Sequence, residues 1–287
     1  MRLLDQSQGI LKLEDLGMTE RQLVVFKHHL ARPHGMILVT GPTGSGKSTT
    51  LYGGLSEINS PEKKIITVED PVEYSFDRIN QVQVQPKIGL NFSTILRSGL
   101  RHDPDIVMVG EIRDEETAQI ALRAAMTGHL VLSTLHTNDA LSGPIRLIDM
   151  GVQPYLVASA VRLIMAQRLA RRVCSSCSES YVPNKQELKW LASITAESSS
   201  SIHFARGKGC TQCGMRGYKG RIGVYELIEM TDEMIDAIRE GDLKTFASIA
   251  QKKSFYVPLT QQALHYASLG IISLEEVLRL SVELTQD

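Results

Sequence analysis

The sequence predicts an α/β fold on a largely parallel sheet, and two observations carry that expectation. A glycine-rich loop lies between an apolar run and a helical pattern, and after it strand-like and helix-like segments alternate. The first lies in MILVTGPTGSGKSTTLYGGL, where apolar Met36 to Thr40 leads into Gly41-x-x-x-x-Gly46-Lys47-Ser48 and then into apolar residues at helical spacing. Such a loop in a strand–loop–helix setting is far more specific than the pattern alone. Its glycines let backbone N–H groups turn towards phosphate oxygens, and the helix that follows adds partial positive charge. Lys47 is expected to reach the β and γ phosphates of ATP, and the Ser48 hydroxyl to ligate Mg2+.

The second observation supplies the elements in order. Short apolar runs predict strands at Lys64 to Asp70, Arg78 to Val84, Asp105 to Gly110 and His129 to Leu135. FSTILRSGLRH and EETAQIALRAAMTG read as helices between them. Pro154 to Arg172, apolar almost throughout, is expected to form one packed helix with Arg168, Arg171 and Arg172 at its C-terminal dipole. Beyond it, TDEMIDAIREGDLKTFASIAQ and SLEEVLRLSVEL predict short amphipathic helices, the latter opened by a capping box of Ser273 and Glu276.

In a parallel sheet the carboxyl ends of the strands share one edge, and ligands bind there. Four strand ends should therefore meet: the loop at Gly41, the acids Glu69, Asp70 and Glu73, the pair Gly110 and Glu111, and Thr134-Leu135-His136. The stretch DIVMVGEIRD is unusual in placing glycine where an aspartate often orders magnesium. Glu111 and Glu73 are the candidates for holding magnesium through water and for orienting the attacking water. Gly110 sets the acid one residue further out and leaves room for a water shell. His136 fits a sensor of the γ phosphate, whereas His129 sits at the opposite end of its strand. Two plainer readings stay open: EDPVEY as a solvated turn before Pro71, and His136 as a structural histidine.

The cysteines form two pairs, Cys174 with Cys177 and Cys210 with Cys213, separated by 32 residues. Two such knuckles can close a tetrahedral zinc site with no open ligand position. The long insert contains a serine-rich stretch suited to a surface loop. A redox pair or structural disulfides are the alternatives, and no thioredoxin-like sequence surrounds either pair.

Composition bounds the rest. A chain of 287 residues, 43% hydrophobic, can bury a substantial core, and a net charge of -1 offers no basic field for nucleic acid. There is no long apolar run, and MRLLDQSQG has no features of a signal peptide, so a cytoplasmic protein is expected. RLLDQ reads as the middle of an element, which predicts an upstream segment.

Taken in order and spacing, GPTGSGKSTT, ITVEDPVEY, LRHDPDIVMVGEIRD and TGHLVLSTLHTND resemble the Walker A, Asp, atypical Walker B and His boxes of the type II secretion and type IV pilus assembly ATPases. The resemblance covers nearly the whole chain. It implies a RecA-like P-loop NTPase core at 36–172, preceded by a remnant of an upstream segment and a lead-in helix at 1–35. A tetracysteine zinc module at 173–222 and a C-terminal helical subdomain at 223–287 would follow. Phosphate binding is implied at Gly41, Pro42, Thr43, Gly44, Ser45, Gly46, Lys47, Ser48 and Thr49. Glu73 would be catalytic or water-orienting, Glu111 magnesium-associated, His129 and His136 the His-box members, and Arg113 a further catalytic candidate.

The family also implies a homo-hexamer with ATP near subunit boundaries, completed by arginines of an upstream segment of which only a remnant near Arg2 is present. It implies work at the inner membrane, peripheral and without a transmembrane segment, on a membrane platform protein. An upstream domain or its membrane-anchored partner would be a second contact. The cysteine module favours the secretion and pilus-extension motors over retraction motors. DRINQVQVQPKIGL and KQELKWLASI lean towards the mannose-sensitive haemagglutinin pilus branch. The competing readings are a DNA-translocating or conjugative motor of the same superfamily, and a nucleotide-gated assembly module with little turnover.

Overall fold

A computed structural model describes residues 11–194 and 203–285. The serine-rich stretch and the segment around Arg2 lie outside them. The chain divides into two compact units, Met1–Gln167 with Leu227–Tyr256, and Arg168–Glu226 with Val257–Asp287.

The first unit is built on parallel strands. It contains α1 (Glu20–Leu30), β1 (Gly35–Thr40), α2 (Lys47–Ile58), β2 (Ile65–Glu69), β3 (Ile79–Gln83), α3 (Phe92–Gly99), β4 (Ile106–Val109), α4 (Glu115–Met126), β5 (Leu130–Leu135), α5 (Ser142–Asp149) and α6 (Pro154–Ala160). Next, β6 (Val161–Val173) runs from this unit into the second, where β7 (Ser178–Tyr181), α7 (Lys185–Ile194) and β8 (Phe204–Gly207) lie. Strand β9 (Tyr218–Glu229) returns the chain to the first unit for α8 (Asp232–Arg239) and α9 (Leu243–Lys252). Two last helices, α10 (Leu259–Ser268) and α11 (Leu274–Thr285), belong again to the second unit.

The large sheet has the order β3-β2-β4-β5-β1-β6-β9, and β1, β2, β3, β4, β5 and β6 pair in parallel. Every residue of β1, β2, β4 and β5 is buried, so both faces of these strands are covered. Register brings their ends together: Thr40 lies beside Leu135, Val109 beside Ser133, and Val68 beside Val109. All four strands predicted from sequence are present, as are both helices between them. Helix α1 starts with a capping box of its own, in which Thr19 Oγ1 accepts from the Gln22 N–H at 3.3 Å and Gln22 Oε1 from the Thr19 N–H at 3.0 Å.

One predicted element is corrected. Pro154 to Arg172 is not a single helix: α6 ends at Ala160, and Val161 turns extended, with φ -72° and ψ 131°. The chain then runs on as β6, paired with β1 from Met36↔Val161 to Thr40↔Ala166. A strand buried on both faces shows no alternation, so its apolar run looks like a buried helix; position against β1 decides the outcome. Arg168, Arg171 and Arg172 therefore lie on a strand and cap no helix.

In the second unit β7 and β8 form an antiparallel pair, and α10 and α11 pack on each other and on β8. The predicted capping box at Ser273 and Glu276 is half realised. Ser273 Oγ accepts from the Glu276 N–H at 3.3 Å. The Glu276 carboxylate turns inward instead, accepting from the Arg171 N–H at 2.7 Å and Nε at 2.8 Å and from Arg279 Nη2 at 3.0 Å.

Candidate active site

Strand β1 delivers the glycine-rich loop, and its geometry explains the residues in it. Gly41 has φ 147°, and a Cβ there would lie 2.5 Å from the Gln167 carbonyl of β6 and 2.6 Å from Ser45 Oγ, so only glycine fits. Lys47, the first residue of α2, donates from Nζ to the carbonyls of Gly41 at 2.7 Å and Pro42 at 3.0 Å. Ser45 Oγ is buried with no hydrogen-bond partner among the described residues. A folded-back ammonium, an orphan hydroxyl and a helix N-terminus together suit a bound phosphate, whose oxygens would accept from the Ser45 hydroxyl. Pro42, Thr43, Gly44, Ser48 and Thr49 are exposed around it.

The acids at the end of β2 divide by environment. Glu69 is only 4% exposed, and both its oxygens are engaged: one accepts from Thr67 Oγ1 and from Gln81 Nε2 at 3.1 Å, the other from the Tyr52 hydroxyl. Burial, then the Glu69 carboxylate, pushes the Tyr52 hydroxyl well above its ordinary range, so it stays a donor. Asp70 and Glu73 follow in a loop of neither helix nor strand, with Glu73 half-buried and its N–H donating to Tyr52 Oη at 3.1 Å. Glu69 is thereby tied into the core, and Glu73 is held at the edge.

Strand β4 ends one residue before Gly110, whose N–H donates to the Val68 carbonyl at 2.8 Å. A Cβ at Gly110 would stand 3.1 Å from that carbonyl and 3.4 Å from Glu69 Cα. The glycine thus lets β4 close against the end of β2, a packing reason beside the water shell expected for it. Glu111 accepts from Arg113 Nη2 and lies 3.3 Å from His136 Nε2; the same guanidinium stands 3.5 Å from Asp70 Oδ2. Burial alone would raise the Glu111 carboxyl, but Arg113, with His136 behind it, holds it below the usual carboxylate range. Thr134 Oγ1 donates to the Gly110 carbonyl at 2.7 Å, so β5 positions this corner as well as His136.

The structure therefore brings the phosphate loop, Glu73, Glu111, Arg113 and His136 to one sheet edge. It does not bring His129 there. His129 precedes β5 at its amino end, where Nδ1 lies 3.0 Å from the Ala124 carbonyl of α4. The six residues of β5 separate it from His136 by roughly 20 Å of strand. Sequence reading also missed Tyr52 and Gln81, which tie the Asp-box loop down. Tyr52 falls at an inward position of α2, and a phenol buried there needs a polar partner, a signal the sequence did contain.

In the second unit Cys174, Cys177, Cys210 and Cys213 bring their sulphurs within 4.8 Å of one another, with three of the pairs at 3.8 to 3.9 Å. A tetrahedral site with Zn–S near 2.3 Å has edges of about 3.8 Å, so the quartet fits zinc. Disulfides, with S–S near 2.0 Å, do not match this spacing. Burial opposes a thiolate at Cys213, but the N–H groups of Cys210 and Gly217, both 3.2 Å from its sulphur, help bring its pKa down to about 6. Cys177 goes the other way, pushed up to about 12 by burial and the neighbouring thiols.

Comparison with known proteins agrees with this geometry. Residues 1–279 match the family described as Type II/IV secretion system protein. The chain is 46% identical over 283 residues to the type II secretion system ATPase E of Vibrio cholerae, covering 99% of this chain and 56% of that protein. It is 46% identical over 282 residues to the type IV pilus assembly ATPase PilB of Myxococcus xanthus, covering 96% of this chain and 49% of that protein. The chain thus spans about half the length of these curated relatives. Among solved structures, the pilus retraction motor PilT with bound ADP superposes with a TM-score of 0.70 at 30% identity, covering 98% of this chain and 68% of that one. On the match to its family description and on these identities across nearly its whole length, the chain belongs to the type II/IV secretion system protein family.

Proposed function

We propose that this chain carries the ATP-hydrolysing part of a hexameric motor that drives assembly of type IV pili or type II secretion pseudopili at the inner membrane. The observation that supports it most is the meeting of Lys47, Glu73 and the Glu111–Arg113–His136 cluster on neighbouring strand ends. In this reading Lys47 exchanges the loop carbonyls for β and γ phosphate oxygens, and the loop amides hold the remaining ones. Ser48 and Glu111 would hold Mg2+, which would supply positive charge against the phosphoryl oxygens. Glu73 orients the attacking water. Arg113 keeps Glu111 charged, and His136, in contact with Glu111, reports on the γ phosphate. His129, bound to α4, takes no part.

ATP would sit near a subunit boundary, with arginines of an upstream segment completing the site, so that hydrolysis moves subunits against one another. The expected partners are further copies of the chain, an inner-membrane platform protein, and an upstream domain or its membrane-anchored partner. The protein would work from the cytoplasmic side, peripheral to the membrane; no helix among the described residues is long and apolar enough to cross one. Zinc in the cysteine quartet would be structural. The test is phosphate release by the full-length assembled protein carrying Glu111→Gln. Turnover should fall roughly 10²- to 10³-fold while ATP binding persists; unchanged turnover would overturn the assignment.

A further inference from the structure

The loop carrying Glu73 has no secondary structure between Asp70 and Arg78, yet side chains from three elements strap it down. From β3, Gln83 Oε1 accepts from the Val72 N–H at 3.3 Å. Gln81 accepts from the Phe76 N–H at 2.8 Å and donates to the Tyr74 carbonyl at 2.9 Å. From α2, Tyr52 stands edge-on to the rings of Tyr74 and Phe76, with centroids 6.0 and 5.1 Å away, and accepts the Glu73 N–H. From β2, the Glu69 carboxylate receives both Tyr52 and Gln81.

We propose that Tyr52 is a positioning residue for Glu73, with the buried Glu69 carboxylate fixing its hydroxyl and Gln81 holding the rest of the loop. The proposal rests on the reading of Glu73 given above. Tyr52 lies five residues after Lys47 on one helix, about 7.5 Å along its axis, so the lysine and the Glu73 backbone share a rigid frame. The hydroxyl meets the N–H of Glu73 itself, so it bears directly on where the backbone that carries the carboxylate stands. A displacement of about 1 Å at a reacting group can cost on the order of a hundredfold in rate.

Tyr52→Phe keeps the ring contacts and removes only the hydroxyl. In steady-state ATP hydrolysis by the full-length assembled protein, kcat should fall roughly tenfold to a hundredfold, with KM for ATP and ATP binding little changed. Ile58→Val, a core change on the same helix, should lower thermal stability yet keep wild-type kcat, which separates positioning from general loosening. Glu73→Gln is run beside them. Wild-type kcat in Tyr52→Phe with kcat lost in Glu73→Gln would overturn the positioning role and leave the reading of Glu73 standing. Wild-type kcat in Glu73→Gln would overturn both. Should Tyr52→Phe fail to fold, Gln81→Leu decides: kcat lost with ATP still bound supports the strap, and wild-type kcat overturns it.

Discussion

Glu111 must remain charged in a half-buried corner, where burial alone favours its protonated form, and Arg113 supplies the opposing charge. If Glu111 acts as an anion, Arg113→Ala should raise its pKa and move the acid limb of the kcat profile to higher pH. An unmoved limb would mean that some other group sets it. His29 makes the contrasting case. It is 1% exposed, lies 2.9 Å from Glu229 Oε1, and its Nδ1 is buried with no hydrogen-bond partner among the described residues. Burial lowers its pKa more than Glu229 raises it, so the folded state takes up the proton less readily than the unfolded chain does near pH 6.5. The stability this histidine contributes is present above that pH and lost as pH falls through and below it. The melting-temperature gap between wild type and His29→Gln should therefore narrow from pH 8 to pH 5.5. A gap that widens in acid would show an imidazolium paired with Glu229. The His29 environment was not legible in the sequence, because Glu229 lies 200 positions away, whereas Arg113 stands two residues from Glu111 and only the burial of that corner and the approach of His136 needed the fold.

At the scale of elements, legibility followed periodicity. The short runs at β2, β4 and β5 are bounded by turn residues and have the length of strands, and α3 and α4 follow the 3.6-residue period, so both kinds of element were visible. The run from Pro154 has neither alternation nor a proline or glycine to break it at Ala160, and only its pairing with β1 makes the second half a strand. Local chemistry does mark the start of α4. Asp114 Oδ1 accepts from the Thr117 N–H at 2.8 Å and Oδ2 from the Thr117 hydroxyl at 3.1 Å. Asp114→Ala should cost about 1 kcal/mol in urea unfolding. At α11 the Ser–Glu spacing predicted a reciprocal cap, but Glu276, itself fully buried and paired with the partly exposed Arg171 and Arg279, serves tertiary structure instead. Glu276→Gln should cost about 2 to 3 kcal/mol, since it removes the charge that both arginines were folded around while leaving them partial access to water. A change within 0.5 kcal/mol would show that the cluster adds little net stability.

At the scale of the molecule, the chain passes between its two units at Gln167–Arg168, Glu226–Leu227 and Tyr256–Val257. Two of these points fall within strands β6 and β9, so the chain changes unit inside continuous strands. The cysteine quartet, in contrast, was legible from spacing, because two cysteines with two residues between them place both sulphurs on one turn wherever they occur. The unit that contains it has a two-stranded sheet, three described helices and parts of β6 and β9. A closed site of four thiolates contributes folding free energy to the segments that it joins. Purified protein should therefore carry about one equivalent of zinc per chain, and stripping it should expose the segments around Cys174–Cys177 and Cys210–Cys213 to protease before the phosphate-loop unit is cut. Cys174→Ser with Cys213→Ser should reproduce that cleavage pattern without chelator. Metal-free protein that resists protease as well as the wild type would remove zinc from the account of this unit. A mass two hydrogens lower per cysteine pair under non-reducing conditions would replace it with disulfides.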